Sequence, residues 1–176
     1  AQTEEGFVVV DQHALHERVL YEQLRQRVAT EALESQKLLI PETFELSAEQ
    51  QEAMEENAEL ISKLGIELSP FGPGTISIQA FPSLLSKASY VDFVRDLLDM
   101  LAEKTGSVDA DSLLDEVLNM AACKAAIKVG QRLSEAEIDE LLDNREHLEH
   151  PSRCPHGRPT TIKFSVSELE KQFGRT

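Results

Sequence analysis

Asp11-Gln12-His13-Ala14-Leu15-His16-Glu17-Arg18-Val19-Leu20-Tyr21-Glu22 is the stretch where an apolar strand hands over to a long helix. Phe7-Val8-Val9-Val10 before it reads as a buried strand, and Leu15, Val19, Leu20, Leu24 and Val28 after it step by four or five, as on one helix face. The spacing predicts a helix from Ala14 to about Glu34, with Asp11 and His13 at its mouth and Glu17 in its first turn. His13 and Glu17 are four apart, so they share one side of that turn. Two carboxylates and an imidazole near a positive helix end suit a divalent cation and the phosphate it activates. The same spacing also describes an ordinary solvated His–Glu pair on an acidic helix.

Composition bounds what such a site can belong to. A chain of 176 residues supports one substantial core or two small subdomains. Its 41% hydrophobic content without low-complexity tracts indicates a folded soluble domain. No apolar run approaches the ~20 residues of a membrane span, and no basic-plus-apolar leader precedes the first strand. The abrupt start in a strand is expected of a fragment of something longer. A net charge of −15 excludes a general basic face for DNA, because that mode needs clustered Lys and Arg. Local attraction is left to a bound metal or to small patches, Lys124 with Lys128 and Arg132, or Arg153 with Arg158. Two cysteines, Cys123 and Cys154, do not make a secreted disulfide framework and point to a reducing, cytoplasmic setting.

Outward from the helix, Glu4-Glu5-Gly6 reads as a turn and Gln36–Ile40 as a strand ended by Pro41. Ser47-Ala48-Glu49-Gln50 is a capping box that opens a helix stopping at Gly65. Ile66–Leu68 and Thr75–Ala80 read as strands, and Tyr90–Lys104 as a helix closed by Gly106. Residues 43–108 then form an inserted α/β unit with no catalytic cluster. A further helix is expected from about Asp111 to Val129, with Ala121, Ala122, Ala125 and Ala126 allowing close packing. Ser134 and Ser165 start two more capping boxes, opening a helix to about Arg145 and a short final helix. Thr160–Phe164 reads as a strand. Between Ser134 and that strand lies the loop His147–Pro159. Cys154 and His156 are two apart and point the same way in extended backbone, although Cys-x-His alone is short of the four ligands of structural zinc. His147 and His150 form a competing His-x-x-His pair, read here as a solvated helix end.

Four segments carry a resemblance. They are Asp11-Gln12-His13-Ala14 with Glu17 and Glu22, Ala122-Cys123-Lys124, Cys154-Pro155-His156-Gly157-Arg158-Pro159, and Phe173-Gly174-Arg175. In this order they resemble the motifs of the nuclease-type MutL C-terminal domain, and the resemblance covers essentially the whole chain. It implies an α/β fold in two parts: a discontinuous dimerisation and endonuclease subdomain, residues 1–40 plus 110–176, and an inserted regulatory subdomain, 43–108. It implies metal ligands at His13, Glu17, Cys123, Cys154 and His156, with Asp11 and Glu17 catalytic, Asp11 either binding a second, catalytic metal or orienting the attacking water. Glu22, Arg158, Phe173 and Arg175 take supporting positions, Arg158 as a phosphate contact or as a loop brace to carbonyls. The expected cofactors are Zn2+ in a structural or regulatory role and Mn2+ in a catalytic one, with Mg2+ as an alternative. Gln36, Leu38, Leu39, Ile40 and Pro41 resemble the short peptide with which bacterial repair proteins dock on the replicative sliding clamp, a mode built on one Gln and two apolar side chains.

The implied activity is metal-assisted nicking of one strand of duplex DNA by a homodimer in the bacterial cytoplasm. DNA binding by the isolated domain is expected to be weak, and contact with the mismatch recognition protein is expected only through a full-length chain. No membrane is involved. Two other readings stay open: a non-catalytic dimerisation and clamp-docking scaffold, and a purely structural zinc domain.

Overall fold

The computed structural model describes residues 2–3, 5–104, 109–128 and 130–175. In chain order the elements are β1 (Gln2–Thr3), β2 (Gly6–Val10), α1 (Gln12–Thr30), β3 (Ser35–Glu45), α2 (Ala48–Glu56), α3 (Ala58–Lys63), β4 (Glu67–Gly72), β5 (Thr75–Pro82), α4 (Tyr90–Glu103), α5 (Ala110–Ala125), α6 (Glu135–Glu146), β6 (Thr161–Ser165) and α7 (Val166–Gln172). The fold is mixed α/β, as expected. It divides into two compact units, Ala1–Val19 with Ala126–Thr176, and Leu20–Ala125. These limits differ from the expected subdomain limits near 40 and 110. The reason is local: β3 pairs along β5, and α5 packs on α4 and on the short 3-10 turn Ser83–Leu85, so both belong with the second unit.

The first unit is built on an antiparallel sheet of order β1-β2-β6. Phe7 stands opposite Phe164 and Val9 opposite Ile162, so these four side chains share one face. Val10 belongs to the other face and packs with Leu133 and Leu148 against the buried cluster Leu15, Val19 and Leu141. Gly6 is required where β2 meets β6. A Cβ there would lie 2.0 Å from the Phe164 carbonyl oxygen, and its φ of +151° suits only glycine. The capping boxes at Ser134 and Ser165 both form, opening α6 and α7.

Helix α1 begins at Gln12, two residues before the expected start, because Asp11 caps it. Asp11 Oδ1 accepts from the backbone N–H of His13 (3.0 Å) and of Ala14 (3.1 Å). Glu17 consequently lies in the second turn rather than the first. The helix expected to reach Val129 stops at Ala125. The backbone that would continue it is captured by α1: the Ile127 N–H donates to His16 Nδ1 (3.0 Å), and the Ile127 oxygen lies 2.8 Å from His13 Nδ1.

In the second unit the sheet order is β3-β5-β4, with β5 central and almost wholly buried. Helix α4 lays Phe93, Val94, Leu97, Leu98 and Leu101 into this core, each burial stabilising by about 1.5–3 kcal/mol. Phe81 makes an edge contact with Phe93 at 5.3 Å and a tilted one with Tyr90 at 4.8 Å. The C-terminal part of α1 contributes buried Leu24 and Val28, and Tyr21 Oη donates to Asp115. The single helix expected from Ser47 to Gly65 is two, broken at Asn57, whose side chain donates back to the Ala53 carbonyl. Pro41 does not end its strand. The β3–β5 register slips between Lys37 and Glu42, so proline sits in a bulge where no ladder N–H is demanded of it. The expected turn residue Glu4 and helix stop Gly106 lie outside the described residues.

Candidate functional site

Two segments far apart in sequence meet in the first unit. One is the start of α1. The other is the loop His147–Pro159, which closes as a tight hairpin. The Gly157 N–H donates to the Cys154 carbonyl (2.9 Å), the Cys154 N–H donates to the Arg158 carbonyl (2.8 Å), and Arg153 bridges Pro159. Proline in the second position and Gly157 at φ +82° fit a type I turn completed by a left-handed residue. The hairpin is braced twice: Arg153 donates to the Gly157 carbonyl (2.8 Å), and Arg18 Nε donates to the Arg153 carbonyl (2.7 Å).

Thr160 anchors the base of this loop, and no sequence pattern singled it out. It is fully buried, its hydroxyl donates to the Pro151 carbonyl, and its N–H donates to the Ser152 carbonyl. Its own carbonyl accepts from the Asp11 N–H at 2.9 Å. One residue therefore ties both ends of the loop to the mouth of α1. The signal was present as a threonine directly after Pro159, but a hydroxyl in a strand start is too common to be read.

The centre of the meeting point is Glu17, 0% exposed. Its Oε1 lies 3.2 Å from His156 Nδ1, and its Oε2 accepts from Arg158 NH2 at 3.1 Å. The Arg158 pKa is held above its ordinary value by hydrogen bonding to the Cys154 side chain first and by the Glu17 charge second. Burial of a lone carboxylate would cost several kcal/mol, and the Arg158 guanidinium, a fixed cation bonded to Oε2, offsets that cost. Ligand bonds of about 2.0–2.1 Å at a tetrahedral ion place ligand atoms about 3.3 Å apart. The Glu17–His156 separation fits that edge, and the donor set suits zinc or a similar ion.

The other expected residues are placed as follows. His13 Nδ1 on the Ile127 carbonyl leaves Nε2 as the ligand-capable nitrogen, the usual arrangement of a metal-binding histidine. Neither His13 nor Cys154 brings a ligand atom within 4.8 Å of both Glu17 and His156. Cys154 is buried in the hairpin turn. Cys123 is half-buried near the end of α5 in the second unit, beside buried Ala121, Ala122 and Ala125. Asp11 is exposed and caps α1, a structural role that the resemblance did not include. Glu22 is buried in the α1 portion of the second unit. Phe173 is 77% exposed at the end of α7, and Arg175 is exposed beside it, so neither is packed into a tie. Arg158 pairs with a carboxylate rather than bracing carbonyls. Within the small basic patches, Lys124 pairs with Asp96, Arg153 donates to the Gly157 carbonyl and Arg158 pairs with Glu17. His147 caps α6 and is exposed like His150, as read from sequence.

In the clamp-like segment Leu39 is 98% and Ile40 78% exposed, on the bulge of β3. Gln36, Leu38 and Leu39 border a groove of about 220 Å³ with Phe81, Pro82 and Tyr90.

Fold and site together define a class: an α/β domain whose dominant polar centre is a buried carboxylate shared between an imidazole and a guanidinium. The chain belongs to the MutL C-terminal dimerisation domain family, whose sequence model matches residues 1–133. It is similar to the DNA mismatch repair protein MutL of Caulobacter vibrioides, 39% identical over 175 residues, covering 99% of this chain and 28% of that protein. The MutL proteins of Bartonella tribocorum and Rhodopseudomonas palustris are 38% and 37% identical over the same length, with 28% and 29% of each covered. The chain thus spans between a quarter and a third of the length of these relatives. Among the described residues no helix is long and apolar enough to cross a membrane.

Proposed function

We propose that this chain is the metal-dependent, DNA strand-nicking part of a mismatch repair MutL. The observation that carries the reading is the pairing of buried Glu17 with His156, two motif residues from opposite ends of the chain. Glu17 and His156 would hold a divalent cation, with Cys123 as a further ligand. Cys154 and His13 are the reserve donors, for a second ion or for closure of the first. Zn2+ suits the Cys and His donors, and Mn2+ or Mg2+ suits the carboxylates. A cation held there would lower the pKa of a bound water and offset charge developing on the phosphate. Asp11, exposed at the same helix mouth, orients the attacking water and accepts its proton. The test is Mn2+-dependent conversion of supercoiled plasmid to open circle, wild type beside Glu17→Gln and His156→Ala. Nicking lost in both variants supports the assignment; nicking unchanged in either refutes it.

Two partners belong to the same reading. The family is described as a dimerisation domain, and the first unit offers a face for it: Val9, Ile162 and Phe164 are 48%, 50% and 38% exposed on one side of the sheet, with Phe7 stacked on Phe164 at 4.9 Å. A second copy covering this face makes the homodimer, and Ile162→Glu should give a monomer by sedimentation. The bulge at Leu38–Pro41 docks on a sliding clamp, since its two exposed apolar side chains have no role in the fold. Gln36→Ala with Leu39→Ala should abolish clamp binding in a titration; unchanged affinity refutes it. The clamp also explains how a domain of charge −15 reaches DNA.

A further inference from the structure

Glu17 divides its two oxygens. Oε1 faces His156 Nδ1 and Oε2 faces Arg158 NH2, and both partners come from one hairpin turn, two residues apart. The carboxylate is wholly buried, whereas the Arg158 side chain is 55% exposed. A guanidinium keeps its proton at every accessible pH, so it is not a metal ligand and remains a fixed cation with a rigid donor fork. Ligating carboxylates are commonly held by such an outer partner, which fixes the oxygen presented to the ion.

We propose that Arg158 is a positioning residue: it occupies Oε2 so that Glu17 presents Oε1 alone, beside His156, as a one-oxygen ligand. The role differs from a phosphate contact, since NH2 is directed to the carboxylate and the Cys154 side chain takes a further hydrogen bond from the guanidinium. It also differs from a loop brace, since the hairpin closes through the main chain of Cys154, Gly157 and Arg158 whatever side chain residue 158 carries. Without Arg158, Oε2 would lose this donor and could be presented to the ion beside Oε1. The inference rests on the metal-dependent reading above.

The experiment is Zn2+ titration of the 176-residue chain against a chromophoric chelator, with thermal melting as a control for folding. Arg158→Gln is expected to lower Zn2+ affinity by about 10–100-fold, the range for removing an outer partner of a metal ligand, with the melting transition retained. Arg158→Lys keeps a cation but loses the fork, and should fall between. If Arg158→Gln binds Zn2+ within twofold of wild type while its affinity for duplex DNA drops, the positioning role is overturned and Arg158 is a phosphate contact. If Arg158→Gln does not fold, Arg158→Lys decides: affinity equal to wild type overturns the proposal, and a fivefold or greater loss supports it. A wild type that binds no Zn2+ refutes the metal site itself and this role with it. Tight wild-type binding that Arg158→Gln leaves unaltered refutes the positioning role alone.

Discussion

Asp11→Asn and Asp11→Ala separate two jobs that one carboxylate holds in this fold. Asp11 Oδ1 accepts from the His13 and Ala14 N–H groups at 3.0 and 3.1 Å, so the residue caps α1. Replacing a capping Asp by Ala costs about 1 kcal/mol, within a range of about 0.5–2. For a chain of this size that is a fall of roughly 2–4 °C in Tm. Asn caps as well as Asp, and loses only the charge at the positive helix end, about 0.3–1 kcal/mol for an exposed group. Asp11→Asn should therefore melt near wild type, and Asp11→Ala clearly below both. Catalysis should order the variants differently. If the carboxylate accepts a proton from water, both substitutions remove it, and nicking should drop by about 10²–10⁴-fold in each. The assay is plasmid nicking with Mn2+ beside a melting curve for the same samples. Asp11→Asn that nicks within threefold of wild type refutes the catalytic role and leaves a cap alone. Asp11→Asn that melts as low as Asp11→Ala refutes the capping argument.

Two further outcomes follow from particular contacts. Thr160→Val is isosteric but leaves the Pro151 carbonyl without its hydroxyl donor in a buried site; it should cost about 1–3 kcal/mol and weaken Zn2+ binding, with Thr160→Ser restoring both, measured by melting and by the chelator titration. In α7 the Ser165 backbone N–H, then its hydroxyl, holds the Glu168 pKa below the ordinary carboxylate value. A depressed folded-state pKa contributes stability above the ordinary value of 4.5 that is lost as pH falls through the lower folded value. The Ser165 amide shift followed by NMR should thus titrate with a midpoint below 4.5, and a midpoint at or above it would refute the cap.

The elements that were legible in the sequence are those set by local rules. All three capping boxes, at Ser47, Ser134 and Ser165, open helices where serine and the residue three later specify them. The stripe Leu15, Val19, Leu20, Leu24 and Val28 is buried as its spacing requires. The misreadings fall where a distant group overrides a local preference. Pro41 is a strand breaker by its own chemistry, yet the slipped register on β5 gives it a place without a ladder bond. Ala121–Ala126 favours a helix throughout, yet His13 and His16, more than 110 residues away, take the main-chain groups of Ile127 that would extend it.

The same distinction decides how much of the site could be read. Spacing selected His13 and Glu17 as neighbours on α1, but gave no sign that Glu17 is buried to 0% while Asp11 is exposed. Between Leu15 and Val19 on a helix, an ionised glutamate in the interior is costly enough that the pattern alone would put it on the flank. What makes the burial tolerable is Arg158, 141 positions further on, together with His156 of the same turn. A buried carboxylate of this kind constrains both segments at once. The hairpin must close to bring its imidazole and guanidinium to Glu17, and Glu17 destabilises the helix core unless it does. That mutual dependence is a physical reason for the two motifs to be found in one chain. It also sets the order of events when Glu17 is truncated to Ala: His156 and Arg158 lose their shared anion, and the loop held at its base by Thr160 should keep its main-chain hairpin while losing Zn2+ affinity.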